Sequence, residues 1–243
     1  MIRIHNARGF TMVELVVIIV VIGIIMAIVS SRMIGKIENA RYETAMAEME
    51  QLARAVAGNP GLYTEGARPD FGYIGDIGVA PDSIGDLVAN YHGSVLWNGP
   101  YLDANSMGNY NLDPWGAPYI MNDSAIMSIG SGDTITRQLA PSRIDLFGNN
   151  LRGFIKDANG DLPGEMFRDS LVMILSYPDG AGAIQYVQIN PDRKGMFEFN
   201  NIPIGNHKLM AIYTPDSDTS EYLISLNPGN DIELNLTFPA DLW

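Results

Sequence analysis

Hydropathy along the chain is most distinctive at the start. Residues 10–29 are an apolar run broken only by Thr11 and Glu14, and residues 15–29 carry no charged or strongly polar side chain. As an α-helix this run spans roughly 30 Å, enough to cross a hydrocarbon core. Arg3 and Arg8 precede it with no acid between them. The positive-inside rule then holds the start in the cytoplasm and sends the rest outward. Past the run the pattern turns amphipathic. Ile34, Ile37, Ala45, Met49, Leu52, Ala53 and Val56 recur at three- and four-residue intervals, with Lys36, Glu38, Arg41, Glu48, Glu50 and Arg54 largely between them. Glu50 and Arg54 stand four apart in the favourable order. Gly58-Asn59-Pro60 ends the pattern, since Gly accepts the left-handed cap conformation and Pro cannot continue a helix. The spacing predicts one helix over 10–57, about 70 Å long. It contains no proline, so any kink falls to Gly23, Gly35 or Ser30-Ser31.

The texture changes twice more. Residues 58–150 are rich in Gly, Pro, Asn and Asp with short apolar stretches, which reads as a long loop followed by a small sheet. Residues 151–243 alternate regularly, with strands expected at 151–156, 171–177, 184–189, 195–199, 207–213, 221–226 and 231–238. Turn-rich links between them suggest a β-sandwich. The expected fold class is α+β: a long N-terminal helix on a small antiparallel sheet, then a separate all-β sandwich. The corresponding division is a leader at 1–9, the helix at 10–57 with its membrane half at 10–29, a head at 58–150 and the sandwich at 151–243.

Composition narrows the chemistry. Lys+Arg 15 against Asp+Glu 28 gives a net charge of -13, so no basic surface exists to displace phosphate counterions and nucleic acid is not an expected partner. The absence of cysteine excludes disulfides, thiolate zinc sites and thiol catalysis. Only His5, His92 and His207 are present, and no Gly-x-Ser-x-Gly elbow, phosphate-binding loop or His-Glu-x-x-His pair occurs. His207 falls in an expected strand and His92 in a loop, where a structural or exposed histidine is the ordinary reading. No catalytic constellation is present and no enzymatic activity is expected.

Glu14 is the residue that separates the readings of the N-terminus. A secretory signal needs a shorter apolar region and a small-x-small cleavage site, of which 27–31 is a poor version. A plain anchor accounts for length and flanks but not for a carboxylate costing about 2.5–3.5 kcal/mol at mid-membrane. The stretch Gly9-Phe10-Thr11-Met12-Val13-Glu14-Leu15 resembles the prepilin cleavage and methylation motif of the type IV pilin and type II secretion pseudopilin superfamily. That resemblance implies a peptidase cut after Gly9, N-methylation of the new terminus at Phe10, and Glu14 at the fifth mature position, where the family carries its glutamate. The physical reason fits, because cutting creates a cationic amine at Phe10 and a buried carboxylate requires a partner charge. In a bundle of such helices Glu14 of one copy can pair with the Phe10 amine of another, setting the axial stagger; leaving either out strands a buried charge.

Two further resemblances bear on the remainder. Leu112-Asp113-Pro114-Trp115-Gly116-Ala117-Pro118-Tyr119 is similar to the turn that begins the hairpin packed on the helix of the major type II secretion pseudopilin. In it Asp113 can bond back to the turn, Pro114 fixes φ, Gly116 accepts a positive φ and Trp115 is expected to anchor the core. Ser128 to Asp133 sits where that family has a serine-glycine turn leading into a calcium loop. Thr134, Ile135 and Thr136 replace the acids that six to eight oxygen ligands would draw on. Calcium is therefore the one cofactor the resemblance raises, and no metal ligands are assigned. Asp157, Asn159 and Asp161 depart from the EF-hand pattern and read as a hairpin turn. The segment 195–209, with its Gly-x-Phe-x-Phe and apolar-Pro turn, resembles the carboxypeptidase regulatory-like, transthyretin-like sandwich family, as does 151–160. The superfamily resemblance implies copies of the same chain in a helical filament, prepilin peptidase and methyltransferase, an inner-membrane assembly platform, and membrane lipid before assembly as partners. It implies an inner-membrane precursor that passes to a periplasmic pseudopilus. A surface type IV pilus displaying the sandwich, and a lone membrane-tethered binding module, are the alternatives.

Overall fold

Helix α1 (Met12–Ala57) leads the computed structural model, which describes residues 10–64, 67–103, 105 and 111–239. The expected leader, with Gly9, lies outside the described residues, as do the side chains of 27–32 within α1. The chain divides into two compact units, Met1–Thr44 and Ala45–Trp243.

In the first unit α1 presents large apolar side chains to solvent. Met12, Val13, Leu15 and Met26 are all more than half exposed, and Ile18, the most covered of the large apolar residues there, is still 41% exposed. Ile34 and Ile37, expected on a covered face, are exposed as well; burial on α1 begins only at Ala45. Among the described residues no helix is long and apolar enough to cross a membrane. The expected span at 10–29 is thus not seen as a whole, because the described apolar stretch at 12–26 falls short of the roughly 20 residues required.

The second unit holds two apolar cores. The first is built on the end of α1, where Ala45, Met49, Leu52, Ala53 and Val56 are buried at helical spacing. Against them lie α2 (Gly72–Ile77), a 3₁₀ turn (Ile84–Leu87), and an antiparallel sheet of β1 (Ile120–Met121), β2 (Ala125–Ser128) and β3 (Ile135–Gln138). Polar side chains fasten the sheet region to the helix. The Tyr119 hydroxyl donates to Glu48 at 2.5 Å, and Arg137 Nε meets Glu50 at 2.8 Å while Arg54 takes the other Glu50 oxygen at 3.0 Å. The Arg137 bond is the largest influence on Glu50; burial opposes it, and the net effect holds the carboxyl below its ordinary range. Short α3 (Arg143–Phe147) leads out of this core, with Leu146 fully buried.

The second core lies between two sheets. One has the order β10-β4-β7 and the other β6-β5-β8-β9, made of β4 (Asn149–Lys156), β5 (Leu171–Pro178), β6 (Ile184–Ile189), β7 (Met196–Ile202), β8 (Gly205–Tyr213), β9 (Asp218–Leu226) and β10 (Ile232–Thr237). Alternate residues point inward: Leu151 and Ile155 from β4, Phe197 and Phe199 from β7, Leu171, Met173 and Leu175 from β5, Leu209 and Ala211 from β8. The α+β class stands, and each expected strand has its counterpart. Pattern alone does not show that β10 runs parallel to β4, from Ile232 opposite Leu151 to Thr237 opposite Lys156. This pairing brings the last strand back beside the first.

The two cores meet closely. Ile204, between β7 and β8, is fully buried in the first core, and its amide donates to the Leu146 carbonyl at 2.9 Å. Gly180 N–H donates to the Ile77 carbonyl at 3.0 Å, and Asn206 Nδ2 to the Arg68 carbonyl at 3.2 Å. A Cβ on Gly78, whose φ is +91, would meet the Pro178 carbonyl oxygen at 2.5 Å. Arg68 itself is buried beneath the end of α1, donating to the carbonyls of Ala57 and Asp70 with its guanidinium over the Phe71 ring. A cation there satisfies terminal carbonyls and complements the negative end of the helix dipole. Gly58 ends the helix at φ +73, donating to the Arg54 carbonyl at 2.8 Å. A Cβ there would lie 2.3 Å from the Asp70 carbonyl oxygen. Gly58→Ala should therefore destabilise the second unit by about 2–3 kcal/mol, measured by denaturant unfolding. An unchanged midpoint would show that the tight carbonyl approach is not needed.

Candidate assembly and processing site

The start of α1 is set by a reciprocal cap. Thr11 Oγ1 accepts from the Glu14 amide at 3.2 Å, while Glu14 Oε2 accepts from the Thr11 amide at a long 3.5 Å. This Thr-x-x-Glu arrangement satisfies donors that a helix N-terminus otherwise leaves orphaned, and it places a carboxylate where the helix dipole favours one. Glu14 Oε1 makes no hydrogen bond among the described residues. Phe10 is 71% exposed and lies just ahead of the cap. Phe10 and Glu14 thus share one helix end inside an exposed apolar surface. The cap was readable from the letters Thr11 and Glu14 but is not needed to see the larger motif.

The turn at Asp113 is a separate, structural centre. Its carboxylate is buried and accepts from Ser128 Oγ at 2.6 Å and from the amides of Ala117, Gly130 and Trp115 at 2.9, 3.0 and 3.1 Å. Burial alone would push this carboxyl up, but the bonds from Ser128, Ala117, Gly130 and Trp115 together hold it below its ordinary value. The serine-glycine stretch expected near a calcium loop is therefore tied to the Asp113 turn. Gly116 takes φ +90, while Trp115 is half-buried at the edge of the first core. Pro114 stands between Asp113 and Trp115 in the turn. Asp157 similarly closes its own hairpin, accepting from the amides of Asn159 and Asp161 at 3.0 and 2.8 Å.

His207 sits inside the sandwich, 1% exposed, with Nε2–H donating to the Pro203 carbonyl at 2.7 Å and Nδ1 lacking a partner. Burial dominates over that bond and pushes the imidazole down to about 4. This is a structural histidine on the inner face of β8. His92 is different: it lies against Asp82 and Asp86, residues that sequence spacing does not bring together.

Residues 4–30 match the family described as the prokaryotic N-terminal methylation motif. Over 108 residues the chain is 27% identical to the type II secretion system core protein G of Xanthomonas campestris pv. campestris. That match takes in 44% of this chain and 63% of protein G's own length. Two solved structures show weak likenesses that carry no argument. The dioxygenase domain of a dioxygenase–carbohydrate-binding fusion from Streptomyces sp. SirexAA-E has TM-score 0.30 and 11% identity, over 39% of this chain and 81% of that one. A putative carbohydrate binding protein from Pseudomonas aeruginosa has TM-score 0.26 and 14% identity, over 38% and 90%.

Two outcomes follow from the buried groups. Asp113→Asn places an amide NH₂ among donors and should cost about 2–3 kcal/mol of unfolding free energy. An unfolding midpoint equal to the parent's would rule out the carboxylate as the centre of the turn. Because His207 binds its proton less readily folded than unfolded, its contribution is full above the ordinary histidine range near 6.5 and fades as pH falls toward 4. The loss is on the order of 3 kcal/mol. His207→Gln, which keeps an N–H for Pro203, should flatten the fall in melting temperature between pH 7 and pH 4. A parent-like slope would remove His207 as its source.

The methylation motif at its start and the likeness to protein G behind it make the chain similar, over those stretches, to the type IV pilin and type II secretion pseudopilin superfamily.

Proposed function

We propose that this protein is a structural subunit of a type II secretion-type pseudopilus, inserted in the inner membrane as a precursor and non-enzymatic. The observation that carries the reading is the first part of α1, where large apolar side chains stand exposed from Met12 to Met26 with a single carboxylate among them. Such a surface requires either lipid or other helices around it. The apolar sequence of 10–29, broken only by Thr11 and Glu14, supports lipid first, and the methylation motif supports transfer from lipid into a helical bundle. Prepilin peptidase cuts after Gly9, and the amine released at Phe10 is methylated. In the filament that amine meets Glu14 of a neighbouring copy, whose Oε1 is not engaged by the Thr11 cap. The pair compensates both charges where water is scarce. The remaining partners are the peptidase and methyltransferase, the inner-membrane assembly platform, and further copies of this chain.

The appended sandwich favours a second reading, a surface type IV pilus that displays it outward. Electron microscopy of material sheared from native cells separates the two, since surface pili give long filaments and pseudopili do not.

Mass spectrometry of the native N-terminus should find methylated Phe10; an intact Met1 on functional protein would overturn the processing step. Glu14→Ala should still insert and be cut, yet yield at least tenfold less filament. Parent levels of filament from that variant would remove the charge pair from the assembly mechanism.

A further inference from the structure

A cavity of about 510 Å³ lies in the second unit between the head loop and the turn at Gly180–Gly182. On its wall Asp82, Asp86 and His92 bring one ligand atom each within 4.8 Å of one another. His92 Nε2 stands 3.3 Å from Asp86 Oδ1 and 3.6 Å from Asp82 Oδ2. We propose that these three side chains bind a divalent transition-metal ion of the zinc class.

Asp86 is the built part of the site. It is 4% exposed, and its Oδ2 is taken by Ser83, whose amide and hydroxyl donate at 2.8 and 3.1 Å. That reciprocal cap at the start of the 3₁₀ turn fixes the carboxylate's orientation. The Trp97 indole N–H donates to the Asp86 carbonyl at 3.0 Å and holds its backbone. The other oxygen, Oδ1, faces His92 Nε2 across the cavity wall at 3.3 Å. A fixed carboxylate oxygen and an imidazole nitrogen this close offer a cation two ligand atoms, the nitrogen when it carries no proton on Nε2.

The separations suit a small ion. Ligands bonded at about 2.0–2.1 Å in tetrahedral geometry stand about 3.3–3.4 Å apart. The two imidazole–carboxylate distances lie at or just beyond that value, and exposed Asp82 can swing inward. One nitrogen with two oxygens favours zinc and its neighbours over calcium or magnesium, which prefer all-oxygen shells. Water completes the fourth position. The ion would cross-link the 3₁₀ turn to the loop carrying His92, on the side where Gly180 bonds to Ile77. It would thus stiffen the head where the sandwich docks. The site is remote in sequence from 128–133, where the family resemblance raised calcium.

The test uses the full chain in detergent micelles, stripped with a chelator and titrated with Zn²⁺ against a chromophoric zinc indicator. One equivalent per chain is expected. His92→Ala and Asp82→Asn should each weaken it at least tenfold, whereas His207→Gln should leave it unchanged. Thermal unfolding of the metal-free variants checks that they fold, which Asp82→Asn at an 84% exposed side chain should do without loss. Failure to bind one equivalent, or equal affinity in parent and both site variants, would overturn the proposal. So would displacement of the zinc by an equal concentration of Ca²⁺.

Discussion

The structure depends first on an unmet hydrophobic demand at one end of α1. Fully burying a Val, Leu, Ile or Met side chain is worth roughly 1.5–3 kcal/mol, and from Met12 to Met26 such side chains are largely uncovered. The sum over that stretch exceeds the net stability of most folded domains. Among the described residues of the first unit nothing covers these side chains, which disfavours leaving the helix in water alone. Lipid and other apolar helices are the media that meet such a demand. Glu14 is the polar exception, and its position beside Thr11 lets it cap its own helix before any partner arrives.

Where α1 enters the second unit, the same helix changes character. Burial begins at Ala45, and half-buried Glu48 and Glu50 of the helix are engaged by Tyr119 and Arg137. The chain then turns sharply at Gly58, and Arg68 returns to close the helix end. The same Arg68 carbonyl receives Asn206 from β8, so the helix terminus and the sandwich share one anchor. Ile204 enters the head core from the sandwich side. Backbone approaches at Gly78 and Gly205 allow no added carbon without displacement, since the latter's Cβ would sit 2.9 Å from the His207 ring. Head and sandwich therefore form one compact unit with two cores.

The buried polar groups divide by what they accomplish. Asp113 is fully satisfied and fastens two turns that lie far apart in sequence. His207 is half satisfied and remains neutral because burial penalises its charged form. Asp86 is held on one oxygen by Ser83 and turns the other toward an imidazole, with a second carboxylate nearby. Completed polar clusters such as the one at Asp113 fix a fold.

Periodicity was enough to determine the long helix, its stop at Gly58 and every strand of the sandwich, because burial on one face imposes a 3.6- or two-residue repeat on the letters themselves. The Gly9-to-Leu15 motif was legible for a similar reason: an acid inside an apolar run is costly and so stands out. The extent of coverage on α1 was not legible, since the pattern continues through Ile34 and Ile37 while the head begins to bury the helix only at Ala45. Nor were the parallel return of β10 to β4, the joining of two cores through Ile204, or the meeting of Asp82, Asp86 and His92. These depend on which faces and loops come together in three dimensions. Local spacing carries no record of that, because a strand's alternation is the same whichever neighbour it pairs with.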